Sequence, residues 1–137
     1  MSVVKSKQGT PKFDLFDKTS RMAAHTLKIT MNPNVFDQDA AREVIGEIRT
    51  AAIRIHILCW RANDIKVPEE NNRKQLERRM ELEYYALKYC TDLKGLINLA
   101  KPLYHLSGRK VKYWMKLVLE VQDGIRAWRE SERKRVN

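Results

Sequence analysis

The sequence predicts an all-α protein, an antiparallel up-down four-helix bundle. Three observations lead there. Glycine and proline number only 5 and 4 in 137 residues, too few breakers for many short elements. Apolar residues make up 43% of the chain and recur at intervals of three and four in four separate stretches, the period of an amphipathic helix. The connections between these stretches are short. Helices with one apolar stripe each cannot bury those stripes singly, and packing four together is the economical solution.

Residues 1–9 are small, polar and basic and are expected to be a disordered N-terminus, with residues 10–137 forming one bundle domain that ends in a basic tail. Thr10-Pro11 reads as a helix start, a capping residue followed by proline at the first helical position. Phe13, Phe16, Ser20, Ala23, Ala24, Leu27 and Met31 then mark the expected inner face. Pro33 steers the preceding residues out of the helical region and ends the element.

Asp37 or Asp39 can cap the second helix. Its row runs Ala41, Val44, Ile45, Ile48, Ala51, Ala52, Ile55, Leu58, Cys59, Ala62, Ile65. The β-branched "IRIHILCW" tempts a strand assignment, but the surrounding period is helical. The third helix is expected from about Glu69, with Leu76, Met80, Tyr84, Leu87, Cys90, Leu93, Ile97 and Ala100 facing inward, and Pro102 should end or kink it. Ser107 is placed to cap the fourth helix. There Val111, Trp114, Val118, Val121, Ile125 and Trp128 form a seam of coiled-coil type.

Charge is the second theme. Lys and Arg number 27 against 17 Asp and Glu, a net +10, which favours anionic partners and nucleic acid first among them. The part from Lys101 onward holds 10 basic and 4 acidic residues. Arg109, Lys110, Lys112 and Lys116 make the first half of the last helix basic, with Arg109, Lys112 and Lys116 turned away from the seam. Arg126, Arg129 and Arg133 flank the seam near its end, and Arg73, Lys74, Arg78 and Arg79 open the third helix. In an up-down bundle the starts of helices one and three meet the end of helix four. Lys5, Lys7 and Lys12 would then join the two arginine clusters at one pole. Cations near a helix C-terminus complement its dipole, but Arg73 and Lys74 at a positive helix start are better explained by an anionic partner. Such contacts would fall mostly on phosphate. The five tyrosines, Tyr84, Tyr85, Tyr89, Tyr104 and Tyr113, could stack on bases, although packing with the hydroxyl at the rim is their ordinary role.

Other chemistries find no support. There is no Glu-x-x-His pair, zinc-finger spacing, glycine-rich phosphate loop or RRM signature. His56 and Cys59 share a helix face, but two ligands are too few for a metal, and Cys59 and Cys90 read as small core residues. No metal, cofactor or catalytic constellation is expected, and the chain is not expected to be an enzyme. The N-terminal "MSVVKSKQGTPKF" lacks the apolar run of a signal peptide, and no run is long enough to span a membrane. With two cysteines outside any CxxC pattern, the expected compartment is the cytoplasm.

Two stretches, "LINLAKPLYHLSGRKVKYWMKLVLEVQDGIRAWRESERKR" and "AIRIHILCWRAND", resemble the accessory variability determinant (Avd) proteins of diversity-generating retroelements. The likeness lies in a final helix bearing tryptophan, an apolar row ending at Trp128 and a basic tail. No family signature stands out in the first helix. The resemblance implies a homopentameric barrel of four-helix bundles. It implies binding to the retroelement's reverse transcriptase and to nucleic acid, template-repeat RNA and also DNA, in support of mutagenic cDNA synthesis. It does not imply polymerase activity, and the chain has no Tyr-x-Asp-Asp motif. The residues expected to dock RNA and an acidic polymerase surface are Arg109, Lys110, Lys112, Lys116, Arg126, Arg129 and Arg133, then Arg73, Arg78 and Arg79. Two other readings fit a small basic helical chain: a DNA-binding mobilisation or relaxosome accessory protein, and a plain bundle related to the ribosomal intervening-sequence proteins.

Overall fold

The computed structural model describes residues 11–137, with side chains from Asp14 onward. The expectations for residues 1–9, the Thr10 cap, Phe13, and Lys5, Lys7 and Lys12 lie outside the described residues. The rest is all-helical: α1 (Pro11–Met31), α2 (Arg42–Asp64), α3 (Arg73–Leu103) and α4 (Gly108–Arg135). No strand occurs among the described residues, so "IRIHILCW" is helical, as its period required. α1 packs mainly on α2 and α4, and α3 packs on the same two from the other side. No helix among the described residues is long and apolar enough to cross a membrane.

The order of contacts along α1 and α4 is reversed. Phe16, early in α1, meets Trp128, late in α4, at 6.0 Å between ring centroids. His25, later in α1, meets Tyr113, early in α4, at 5.1 Å. The two helices come close where Gly124 faces Leu15: a Cβ on Gly124 would lie 2.8 Å from Leu15 Cδ1. Glycine here makes room for a leucine that is itself buried.

The buried positions repeat as heptads. On α2 they include Ile45, Ile48, Ala52, Ile55, Cys59 and Ala62, as the sequence row anticipated. On α4 Val111, Trp114, Val118, Val121 and Ile125 are buried, and Trp128 is half-buried against the core. Burial raises both thiols, that of Cys90 to about 12, so the two cysteines are small core residues.

α1 departs from its expected face. Ser20, Ala24 and Met31 are exposed. Leu15, Thr19, Met22, Thr26, Ile29 and Thr30 are buried instead. The threonines are tolerated because each hydroxyl finds an acceptor within its own helix. Thr26 Oγ1 donates to Met22 O at 2.8 Å, Thr30 Oγ1 to Thr26 O at 2.7 Å, and Thr19 Oγ1 to Phe16 O at 3.1 Å. The methyl groups are then free to pack.

The helix ends also differ in detail. Asp37 and Asp39 do not cap α2, whose N-cap is Ala41 without a side-chain bond. Asp37 Oδ1 instead accepts from the N–H groups of Asp39 and Ala40, building the turn before the helix. α3 starts at Arg73 rather than near Glu69, because Asn71 takes a left-handed φ of 52° that no α-helix can include. Pro102 lies in the last turn of α3, which ends at Leu103. Ser107 caps α4 as expected, its Oγ accepting from Lys110 N at 3.2 Å. Between α1 and α2, Phe36 is fully buried and sits edge-on to Trp114 and Tyr104.

Candidate nucleic-acid interface

The start of α3 and the end of α4 are bolted together by polar bonds. Asn72 Nδ2 donates to Arg135 O at 2.9 Å, and Asn137 N donates to Asn72 Oδ1 at 3.0 Å. Arg129 Nε donates to Met80 O at 3.2 Å, and its guanidinium lies 5.8 Å from the Tyr84 ring centre. Lys88 Nζ lies 5.6 Å from the ring centres of both Tyr84 and Tyr85, which are themselves edge to face and exposed. Arg129, Arg133, Tyr84 and Met80 line an open groove of about 430 Å³, with Glu77 and Glu81 beside them. Arg73 and Arg78 are exposed on the first turns of α3. Arg73 reaches Glu77 at 3.9 Å and Arg133 reaches Glu130 at 2.8 Å, both pairs solvent-facing and therefore worth little. The start of α1 reaches the same end: Asp14 and Lys18 line a cleft of about 700 Å³ with Arg79, Trp128, Glu132 and Arg135.

Arg79 does not belong with the surface cations. It is only 6% exposed. Its Nη1 is 3.1 Å from Glu132 Oε2, with Glu132 almost fully buried, and its Nε donates to Ile65 O at 2.9 Å. A guanidinium with these partners is committed chiefly to the bundle interior rather than to the solvent-facing surface. Arg135 approaches the same Glu132 oxygen at 3.2 Å from the exposed side.

Glu83 completes this internal cluster. It is fully buried, and neither carboxyl oxygen meets a donor group of the chain. Its acidic neighbour is the Glu132 carboxyl. Two ionised carboxylates side by side in the core repel, which favours a proton on one of them. Burial, then the hydrogen bond and charge of Glu132, push Glu83 up to about 9, against the opposing pull of Arg79 and Arg129.

The remaining candidates lie elsewhere. Arg109, Lys110, Lys112 and Lys116 are exposed on the first half of α4. Arg109 and Lys110 share a cleft with Lys28, His25 and Tyr113 near the end of α1. Arg126 lies between the two groups, near enough to Cys90, with Lys94, for its charge to act on the thiol. Of the ten expected residues, Arg109, Lys110, Lys112 and Lys116 form one surface group and Arg73, Arg78, Arg129 and Arg133 another, Arg126 stands between them, and Arg79 is buried against Glu132. His56 is held by Thr19, with Nδ1 2.8 Å from Oγ1. Burial keeps the His56 pKa below the usual histidine range.

Lys88, Lys28, His25 and the Glu83–Glu132 pair were missed. The last had a signal. The heptad through Cys90, Leu93, Ile97 and Ala100 runs back through Ala86, Glu83, Arg79 and Leu76, all buried. Lys28 and His25 sit one turn apart on α1, and nothing in one helix says which helix will face it.

No known protein family, characterised protein or solved structure matches this chain.

Proposed function

We propose that the chain is a non-catalytic accessory protein of a diversity-generating retroelement. On this reading it binds the element's reverse transcriptase and template RNA, with DNA as a second nucleic-acid ligand, and works in the cytoplasm as a homopentameric barrel of antiparallel bundles. The observation that carries nucleic-acid binding is the pole where Arg129 and Arg133 share a groove with exposed Tyr84, with Tyr85 edge to face with Tyr84 and Arg73 and Arg78 exposed on the first turns of α3. Cations beside accessible aromatic faces suit phosphate and unstacked bases together. The antiparallel arrangement is supported by the reversed order of the α1–α4 contacts. Oligomerisation is supported by two outward apolar faces, Ile53 with the 59%-exposed Trp60 on α2, and Leu99 with Leu103 on α3.

The first test is the native mass of nuclease-treated protein in high salt, by light scattering. Against a chain of 16.1 kDa, a mass of about five subunits supports the barrel. A monomer or dimer overturns it. The second is titration with single-stranded RNA and duplex DNA across salt concentrations, then capture of the cognate reverse transcriptase. Binding to one specific duplex alone would turn the reading toward a DNA-mobilisation accessory, and no binding to either nucleic acid would overturn it.

A further inference from the structure

The cleft at the other end of α4 has a composition that the arginine pole lacks. Tyr113 and Arg129 are separated by about 24 Å along the helix, at roughly 1.5 Å per residue. The cleft holds about 340 Å³, within the lower range of small-ligand pockets at roughly 300–1,000 Å³. Its apolar wall is Ile29 and Val35 with the rings of His25 and Tyr113, which stand edge to face at an interplanar angle of 80°. Its cations are Lys28, Arg109 and Lys110, and no Asp or Glu lines it. None of the three enters a salt bridge within 4.0 Å among the described residues, whereas Lys18, Arg21, Arg42, Arg73, Arg79, Arg133 and Arg135 all do. Three uncompensated positive charges therefore border a largely apolar, aromatic recess.

His25 adds a polar demand. Its Nε2 is buried and has no hydrogen-bond partner among the described residues. Burial first, then the charges of Lys28 and Lys110, hold its pKa below the usual value, so the ring is neutral at pH 7. A neutral imidazole adds an uncharged ring to the wall of the cleft. A bare inorganic anion would use the cations and leave the aromatic wall idle. A purely apolar ligand would leave three charges beside it without a counter-ion. A ligand with a flat heteroaromatic ring and an attached phosphate uses both.

We propose that this cleft is a single-nucleotide subsite, with the base against Tyr113 and His25 and the phosphate held by Lys28, Arg109 and Lys110. It deepens the nucleic-acid reading above and rests on it for the source of the nucleotide, one residue of a single-stranded RNA rather than a free nucleotide. A duplex keeps its bases stacked and paired, so the subsite favours single strands over duplex.

The test uses the full-length protein and three probes: adenosine monophosphate, inorganic phosphate, and a short single-stranded RNA. NMR follows the imidazole signals, with His25→Gln assigning the one from His25. AMP and RNA are expected to shift the His25 signal, and phosphate at equal concentration to shift it far less. Tyr113→Ala should weaken single-stranded RNA binding about tenfold, the effect of losing one base stack. Tyr113 is 48% exposed, so the variant should fold, and Lys28→Ala provides a second probe that removes charge and leaves the rings. If phosphate shifts His25 as strongly as AMP, the base pocket is overturned. If the protein binds RNA and both variants bind it as well as the parent, the subsite is overturned while the proposed function stands. If the parent binds no RNA, the proposed function fails. The cleft then survives only if AMP shifts His25 and Tyr113→Ala abolishes the shift, which would make it a free-nucleotide site.

Discussion

Arg79 on α3 and Glu132 on α4 form an ion pair inside the bundle, with 3.1 Å between Nη1 and Oε2 and both side chains removed from solvent. Neither charge is tolerable there alone. Arg79→Met or Glu132→Leu should therefore lower stability by about 3–5 kcal/mol, because each leaves a buried charge without its buried partner. Replacing both, Arg79→Met with Glu132→Leu, should cost much less than the two single losses together. Urea denaturation of the four proteins tests this as a double-mutant cycle. Additive losses would mean that the pair is not coupled as its geometry indicates.

Glu83 gives stability a pH dependence of definite sign. Its folded pKa, about 9, lies above its ordinary value of 4.5. Between those two values the folded chain holds a proton that the unfolded chain has released. Stability from this group is thus fully present below pH 4.5 and is lost as pH rises through 9. Glu83→Gln keeps the shape and removes the ionisation. Its melting temperature should exceed that of the parent at pH 9 and vary less between pH 5 and 9. Parallel melting profiles for the two proteins across that range would count against a protonated Glu83.

Trp114 is the polar and apolar anchor of α4 at once. Its ring is fully buried, and Nε1–H donates to Thr26 Oγ1 at 2.9 Å while that hydroxyl donates onward to Met22 O. Trp114→Ala should cost about 3–5 kcal/mol through the cavity it leaves. Thr26→Val is the sharper probe: it keeps the volume and orphans a buried indole N–H, at about 1–3 kcal/mol. Thr26→Ser should retain most of the hydrogen-bond contribution. Trp128, only half-buried, should tolerate truncation better than Trp114. Equal stability of the Val and Ser variants would remove the hydrogen bond from the account.

These cases show what could be read in advance. On α2 and α4 the seam is written almost wholly in apolar residues, and burial follows the letters. On α1 it passes through Thr19, Thr26 and Thr30, whose polarity disguises a β-branched side chain that satisfies its own hydroxyl. The apolar residues nearest in sequence, Ala24 and Met31, drew the face round to the wrong side. On α3 the seam passes through Arg79 and Glu83 to Leu76, and Met80 and Tyr84 attracted the assignment because they are less polar neighbours. Heptad continuity was the truer guide, since α4 extends its own seam from Trp128 to Glu132 and the polar ends meet. A charge count found the basic pole but could not tell a guanidinium facing solvent from one facing a carboxylate across the core.

Arg129 and Arg133 allow binding and folding to be separated at that pole. They are one turn apart and line the same groove. Arg129 also secures Met80 O and lies over Tyr84, whereas Arg133 meets only the exposed carboxylate of Glu130 in the hydrogen bonds described. Arg133→Gln should leave stability within about 0.5 kcal/mol of the parent, and Arg129→Gln should lower it by about 1–2 kcal/mol. If both reach phosphate, each substitution should nonetheless flatten the salt dependence of single-stranded RNA binding by a similar step, about 0.7 in the log–log slope. Denaturation gives the first pair of numbers, and RNA titration at several salt concentrations gives the second. Unequal stability with equal slope changes would assign both side chains to the interface and only Arg129 to the fold. A slope change for Arg129→Gln alone would confine the contact to the residue that the bundle already holds in place.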